Sequence, residues 1–88
     1  MASYKVVLKP SVEKDLRSMP RAVITRIFTC IEKLQEKPIH HGSIKLSGAE
    51  HMYRARVGEY RIVYEVDRNT KQIVVHYVRH RRDVYRKH

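Results

Sequence analysis

The chain has 88 residues and a formal net charge of +10, because 19 Lys and Arg outnumber 9 Asp and Glu. That length allows one domain, residues 1–88, and no apolar run reaches the roughly 20 residues of a membrane-spanning helix. The single cysteine, Cys30, excludes an internal disulfide and a cysteine-based metal site. So large a cation excess indicates an anionic partner: nucleic acid, a membrane surface or an acidic protein. The first residues alternate charge too early for a secretory signal, so we expect a cytoplasmic protein.

A short strand and a short helix are predicted at the start of the chain. The β-rich run over residues 4–9 ends at Pro10, which has no N–H for a strand ladder. Ser11 is a residue type that caps helices, and the apolar stripe that follows predicts a first helix over residues 11–18.

A second helix follows directly. Apolar side chains recur at the helical period from Ile24 to Leu34, with charged residues on the opposite side. Pro20 suits the first turn, where a missing N–H costs nothing, and the helix is expected to end before Pro38. Proline, glycine and serine in residues 38–50 predict a connecting loop.

Three strands are predicted in the second half. Residues 52–57 alternate apolar and polar side chains, and Gly58-Glu59 fits a tight turn into a strand over residues 60–66. Residues 72–78 are apolar at nearly every position, as in a central strand. The predicted fold class is therefore α+β, a compact β-α-α-β-β-β domain with a helical hairpin packed on one face of a small antiparallel sheet.

Arginines are expected on the sheet face that the helices leave uncovered. Residues two apart in a strand share a face, so Arg54 and Arg56 lie opposite their apolar neighbours. Arg61, Arg79 and either Arg81 or Arg82 could join them. Ordinary solvated charge is one interpretation of this set. A surface that binds phosphates is the other, and the net charge favours it.

Three stretches carry a resemblance to a known family. They are the Lys45-Leu46-Ser47-Gly48 loop, the hairpin MYRARVGEYRIVYEV and the terminal VRHRRDVY. With the order of elements, they resemble the RelE/ParE superfamily of toxins, and more closely its RelE branch, over nearly the whole chain. The resemblance implies a toxin of a type II toxin–antitoxin system with a cognate RelB-type antitoxin. It also implies a ribosome-dependent endoribonuclease (an mRNA interferase) that cuts mRNA in the 30S A site and inhibits translation.

The implied reaction is metal-independent attack of a ribose 2′-OH on the adjacent phosphate, with no cofactor. Carried over by position, the resemblance makes Arg54, Arg61, Arg79 and Tyr85 catalytic candidates, and Arg54, Arg56, Arg81, Arg82 and Lys45 RNA-binding candidates. The best-known members have lysine where this chain has Arg54 and Arg56. Arginine neutralises phosphate well but is a poor general base, so another group must transfer protons. Tyr85 is the family-matched candidate. His80 is the second, because imidazole exchanges protons near neutral pH.

Two other functions stay open at this stage. A ParE-like inhibitor of DNA gyrase shares the fold without being a nuclease, although that branch generally lacks the set from Arg79 to Tyr85. A non-catalytic RNA-binding module would need only the cations. A metal site is not expected, because the histidines lack ligand spacing and the acidic residues are dispersed.

Overall fold

The computed structural model describes residues 3–39, 43–46 and 51–80. The elements in these ranges are β1 (Lys5–Leu8), α1 (Pro10–Arg17), α2 (Arg21–Glu36), β2 (Ile44–Lys45), β3 (Met52–Val57), β4 (Tyr60–Asp67) and β5 (Gln72–His80). Both helices pack on one face of a single sheet, so the predicted α+β class is confirmed. Neither helix in the described ranges is long and apolar enough to cross a membrane.

The sheet differs from the predicted one in two ways. Its strand order is β1-β5-β4-β3-β2, and β1 runs parallel to β5 while the other neighbours are antiparallel. The sheet is therefore mixed, not purely antiparallel as predicted. The predicted loop over residues 38–50 also contains β2, a two-residue strand that pairs with β3. A strand that short leaves no alternation in the sequence by which it could be recognised.

The start of α1 also differs from the prediction. Lys9 is the N-cap in extended conformation, as expected of a residue that precedes a proline. Pro10 is the first helical residue, where its missing N–H is harmless, and no side chain caps the helix. The predicted Ser11 cap is wrong, because Ser11 already lies inside the first turn. Pro20 is the N-cap of α2, one residue before the predicted position, and α2 ends before Pro38 as predicted.

The core lies between the helices and the sheet. It comprises Val12, Leu16, Ile27, Ile31 and Leu34 from the helices and Ala55, Ile62, Tyr64, Val66, Ile73, Val75 and Val78 from the strands. Each such aliphatic side chain stabilises the fold by about 1.5–3 kcal/mol. Cys30 is partly buried at the margin of this core.

A bulge in β5 sets which of its side chains face the core. Tyr64 pairs with Val75, but Val63 pairs with Tyr77, so His76 is the extra residue. The bulge lets Val75 and Val78 both face the helices although they are three residues apart. As a result, Tyr77 and Arg79 point to the opposite face of the sheet.

Candidate nucleic-acid interface

Four arginines lie on the sheet face opposite the helices, which we call the arginine face: Arg54, Arg56, Arg61 and Arg79. Arg61 is the cross-strand partner of Arg56 on β3 and of Arg79 on β5. These three residues form the arginine row across three adjacent strands. Directly opposed side chains have Cβ atoms about 4.5–5.5 Å apart, and like charges at that separation repel. The row is therefore a concentrated positive charge that an anion would stabilise.

The four arginines of this face differ in accessibility. Arg56 is exposed, and Arg54 and Arg79 are half-buried. Arg61 is only 3% exposed. Its side chain thus lies within the sheet layer, between the two flanking arginines. Direct contact between Arg61 and an external phosphate would require a local rearrangement.

Tyr77 lies beside the row and supports one of its members. The guanidinium carbon of Arg79 stands 4.9 Å from the Tyr77 ring centroid, a cation–π contact. The sequence pattern predicts Tyr77 as a packing residue of the strand, because strict alternation from Ile73 would aim it at the helices. The bulge at His76 reverses that direction, and a bulge of this kind leaves no sequence signal.

The other end of the arginine face is acidic. Glu65 and Asp67 follow Arg61 on the same side of β4, and Glu65 Oε1 lies 3.0 Å from Nε2 of His76. Hydrogen bonds from the backbone N–H groups of Thr70 and Asn69 hold the pKa of Asp67 below its ordinary value. The face therefore has a cationic end at the arginine row and an anionic end near the β4–β5 turn.

The structure places two of the predicted site residues away from the arginine face. His80 pairs with Tyr60, and their rings make an edge-to-face contact at 5.1 Å, so His80 lies on the helix side. It lines a small cavity there with Asp15 and Ser18 of the helical layer. Lys45 pairs with Tyr53, another helix-facing residue, and is exposed at the sheet edge. Arg79 also lines that small cavity, so His80 adjoins one arginine of the set from the helix side, whereas Lys45 is not near the arginine row in the described ranges.

The remaining predicted residues, Arg81, Arg82 and Tyr85, lie outside the described residues, as does part of the Lys45-Leu46-Ser47-Gly48 loop. Within the described ranges, no three His, Cys, Asp or Glu side chains are grouped so that they could hold a metal ion.

Comparison with known proteins places this chain in one class. The family model for the ParE toxin of type II toxin–antitoxin systems matches residues 6–85. Toxin RelE3 of Methanocaldococcus jannaschii is 34% identical, over 92% of this chain and 94% of its own length. The class is therefore that of toxins from type II toxin–antitoxin systems. The chain belongs to the RelE/ParE family of these toxins.

Solved structures agree with this assignment. The archaeal RelE–RelB complex from Pyrococcus horikoshii OT3 contains a chain with a TM-score of 0.81 and 32% identity, covering 90% of this chain and 96% of that one. The RelB–RelE antitoxin–toxin complex from Methanococcus jannaschii gives a TM-score of 0.74 and 31% identity, covering 91% of this chain and 95% of that one.

Proposed function

We propose that this toxin is a ribosome-dependent endoribonuclease of the RelE type, which cuts mRNA in the ribosomal A site and so inhibits translation. The observation that carries the proposal is the arginine row, three cations on adjacent strands of the sheet face that neither helix covers. The similarity to toxin RelE3 and to the toxin of the archaeal RelE–RelB complex supports the RelE branch. A cytoplasmic location follows from a ribosomal target.

The proposed reaction suits this charge arrangement. Attack of a ribose 2′-OH on the adjacent phosphate forms a pentavalent centre with additional negative charge, and it releases a 5′-OH and a 2′,3′-cyclic phosphate. Fixed cations at the developing charge supply the largest stabilising contribution in many such reactions. Arg79, held on the Tyr77 ring, is our candidate for the cation that contacts the reacting phosphate. Arg54, Arg56 and Arg61 would add to the positive potential around it. The ribosome would align the mRNA, which lowers the demand on side chains.

Proton transfer needs a group other than arginine, because the guanidinium does not release its proton at neutral pH. His80 lies on the helix side of the sheet, and its contact with Tyr60 leaves it badly placed for this role. We therefore propose Tyr85 as the base or as a stacking group for a base of the mRNA. Arg81, Arg82 and Lys45 remain proposed RNA contacts.

We also propose a cognate RelB-type antitoxin as the partner that neutralises the toxin. Two of the matched structures are complexes of a RelE with a RelB. With a net charge of +10, this chain would bind an acidic segment of such a partner.

Incubation with mRNA programmed on 70S ribosomes tests the proposed function, with the cuts mapped by primer extension. We expect wild-type protein to cut within the A-site codon. Arg79→Ala should reduce cleavage by about 100-fold or more, in the range seen when a transition-state hydrogen-bond donor is removed. Its fold should persist, because Arg79 is outside the core. Arg68→Ala, which removes an exposed arginine from the β4–β5 turn, is the matched control and should cut normally. A fully active Arg79→Ala variant contradicts the site assignment.

DNA gyrase inhibition is the second candidate, because the matching family model is that of ParE. A supercoiling assay with the same preparation separates the two functions. Blocked supercoiling without mRNA cleavage would establish the gyrase inhibitor. If neither activity is found but RNA binding depends on salt, the chain is a non-catalytic RNA-binding module.

A further inference from the structure

A second basic feature lies beside the arginine face, between α2 and the β3–β4 hairpin. It is a groove of about 360 Å³, which we call the lateral groove. Its lining residues are Arg26, Thr29, Cys30, Lys33, Arg56, Val57 and Gly58. This set includes three cations, a hydroxyl and a thiol, and it includes no carboxylate.

The cations of the lateral groove have no counter-charge among the described residues. In the part of the chain that the structure describes, no carboxylate is within ion-pair distance of Arg26, Lys33 or Arg56. All three side chains are exposed. Three convergent positive charges without a counter-charge produce a positive potential that favours binding of an anion.

The glycine of the hairpin turn makes room for one of these cations. Gly58 has a positive φ of 58°, and a Cβ on it would lie 3.2 Å from a terminal guanidinium nitrogen of Arg26. Because glycine has no Cβ, the Arg26 guanidinium packs closely over the turn. Its charge thus lies at the mouth of the groove, next to the strand that carries Arg56.

The lateral groove is continuous with the arginine row. Arg56 belongs to both, because it lines the groove and pairs with Arg61 of the row. In the described ranges β2 pairs with β3 only at Tyr53 and Arg54, so no strand flanks β3 at Arg56. A chain bound at the row could therefore pass around this edge of the sheet and enter the groove.

We infer that the lateral groove binds the phosphodiester backbone of RNA next to the phosphate held at the arginine row. This inference rests on the proposed RNA substrate. Arg26 and Lys33 are seven residues apart on one helix, about 10 Å along its axis. That span covers about three nucleotide steps of a stacked strand at ~3.4 Å each, so the groove suits a polyanion better than a single small anion.

The chain has only one cysteine, and it lines the groove, so its alkylation reports whether the groove is occupied. Burial raises the pKa of the Cys30 thiol, so the rate should be measured at mildly alkaline pH. The reagent should be uncharged, such as iodoacetamide, and the ligand a 2′-O-methyl RNA of about 12 nucleotides, which resists cleavage and fits the usual site sizes. We expect RNA to slow alkylation about fivefold or more, because a site that is at least ~80% occupied shields the thiol to that extent.

Several outcomes would overturn the inference. One is RNA that binds the protein while Cys30 reacts at an unchanged rate. Another is equal protection by inorganic phosphate, which would indicate a small-anion site. A third is protection by polyglutamate but not by RNA, which would assign the groove to an acidic protein segment.

A double substitution separates this site from the proposed catalytic one. Arg26→Gln with Lys33→Gln removes two groove charges. In a plot of the logarithm of the RNA-binding constant against the logarithm of salt concentration, the slope should become less negative by about 1.4. This is ~0.7 for each of two lost single-strand phosphate contacts. On programmed ribosomes, KM should rise while kcat stays unchanged. The control, Lys14→Gln with Arg21→Gln, removes the same charges from helix positions outside the groove and should leave the salt slope unchanged.

An unchanged slope in the groove variant, or an equal decrease in both variants, would contradict the inference. The binding and alkylation measurements do not depend on cleavage. If the protein binds RNA in the groove but does not cut mRNA, the proposed function fails while the groove assignment stands.

Discussion

Tyr77 illustrates how one side chain can determine the geometry of a charged site. Its ring lies under the Arg79 guanidinium and is placed there by the bulge at His76. Strand alternation predicted that Arg54 and Arg56 would share a face, and the structure agrees. Arg79 also lies on this face, as expected, but it does so because the bulge at His76 reverses the alternation of β5. The sequence did not predict the Tyr77 contact, because a bulge depends on cross-strand packing and not on local residue type.

We expect Tyr77 to position Arg79 and not to react itself. Tyr77→Phe keeps the ring and should retain mRNA cleavage within about threefold, whereas Tyr77→Ala should reduce kcat about tenfold, in line with a cation–π contact of about 1.4 kcal/mol at a half-buried site. Cleavage on programmed ribosomes under saturating conditions measures both variants, and thermal unfolding checks their folds. Equal loss of kcat in the two variants would indicate that the hydroxyl, not the ring, is required.

At the level of elements, the two helices and three longest strands could be predicted because their hydrophobic periods run over many residues. The details that could not be predicted are local. The two-residue β2 carries no pattern, and the cap of α1 falls on Lys9 because Pro10 provides the helix start instead of Ser11. The β3–β4 hairpin follows its sequence closely, since a glycine with positive φ occupies the first of its two turn positions.

The β4–β5 turn should make the free energy of unfolding depend on pH under acidic conditions. Backbone N–H groups of Thr70 and Asn69 favour the charged form of Asp67, so its folded pKa lies below its unfolded value. The charged form of Asp67 therefore stabilises the fold at pH values above the ordinary carboxyl pKa. This stabilisation is lost as the pH falls through the pKa that Asp67 has in the folded protein.

Asp67→Asn keeps a side-chain oxygen but cannot titrate. We expect wild-type Tm to exceed that of the variant at about pH 6 and the difference to shrink below about pH 3.8, measured by circular dichroism. A difference that stays constant across this range would show that the charge of Asp67 does not matter.

For the whole molecule, the amino-acid composition determines the sign and size of the net charge but not its distribution. The arginine row and the lateral groove lie together around the β3 edge, while Glu65 and Asp67 occupy the far end of the same sheet. The separation along β4 follows from the sequence, since Arg61 lies near the start of this strand and Asp67 at its end. Local patterns could not reveal that cross-strand pairing places Arg56 and Arg79 beside Arg61.

This asymmetry should appear in the kinetics of ribosome binding. A molecule with a cluster of cations on one face is steered to an anionic target, and salt screens that attraction. We expect kcat/KM for mRNA cleavage to fall by at least about tenfold between ~50 and ~200 mM salt, with kcat nearly constant at saturating ribosomes. A kcat that falls in parallel would mean that salt acts on the chemical step.

The pairing of β1 with β5 has a consequence for the order in which the protein becomes complete. Lys5 pairs with Gln72, so the sheet closes through one of the longest loops that this chain allows, and contacts of that kind form slowly. β5 is also the strand that brings Arg79 beside Arg61. A growing polypeptide therefore has neither a closed sheet nor an arginine row until nearly all of β5 has been synthesised. The topology thus delays assembly of the candidate site until synthesis of the chain is nearly complete.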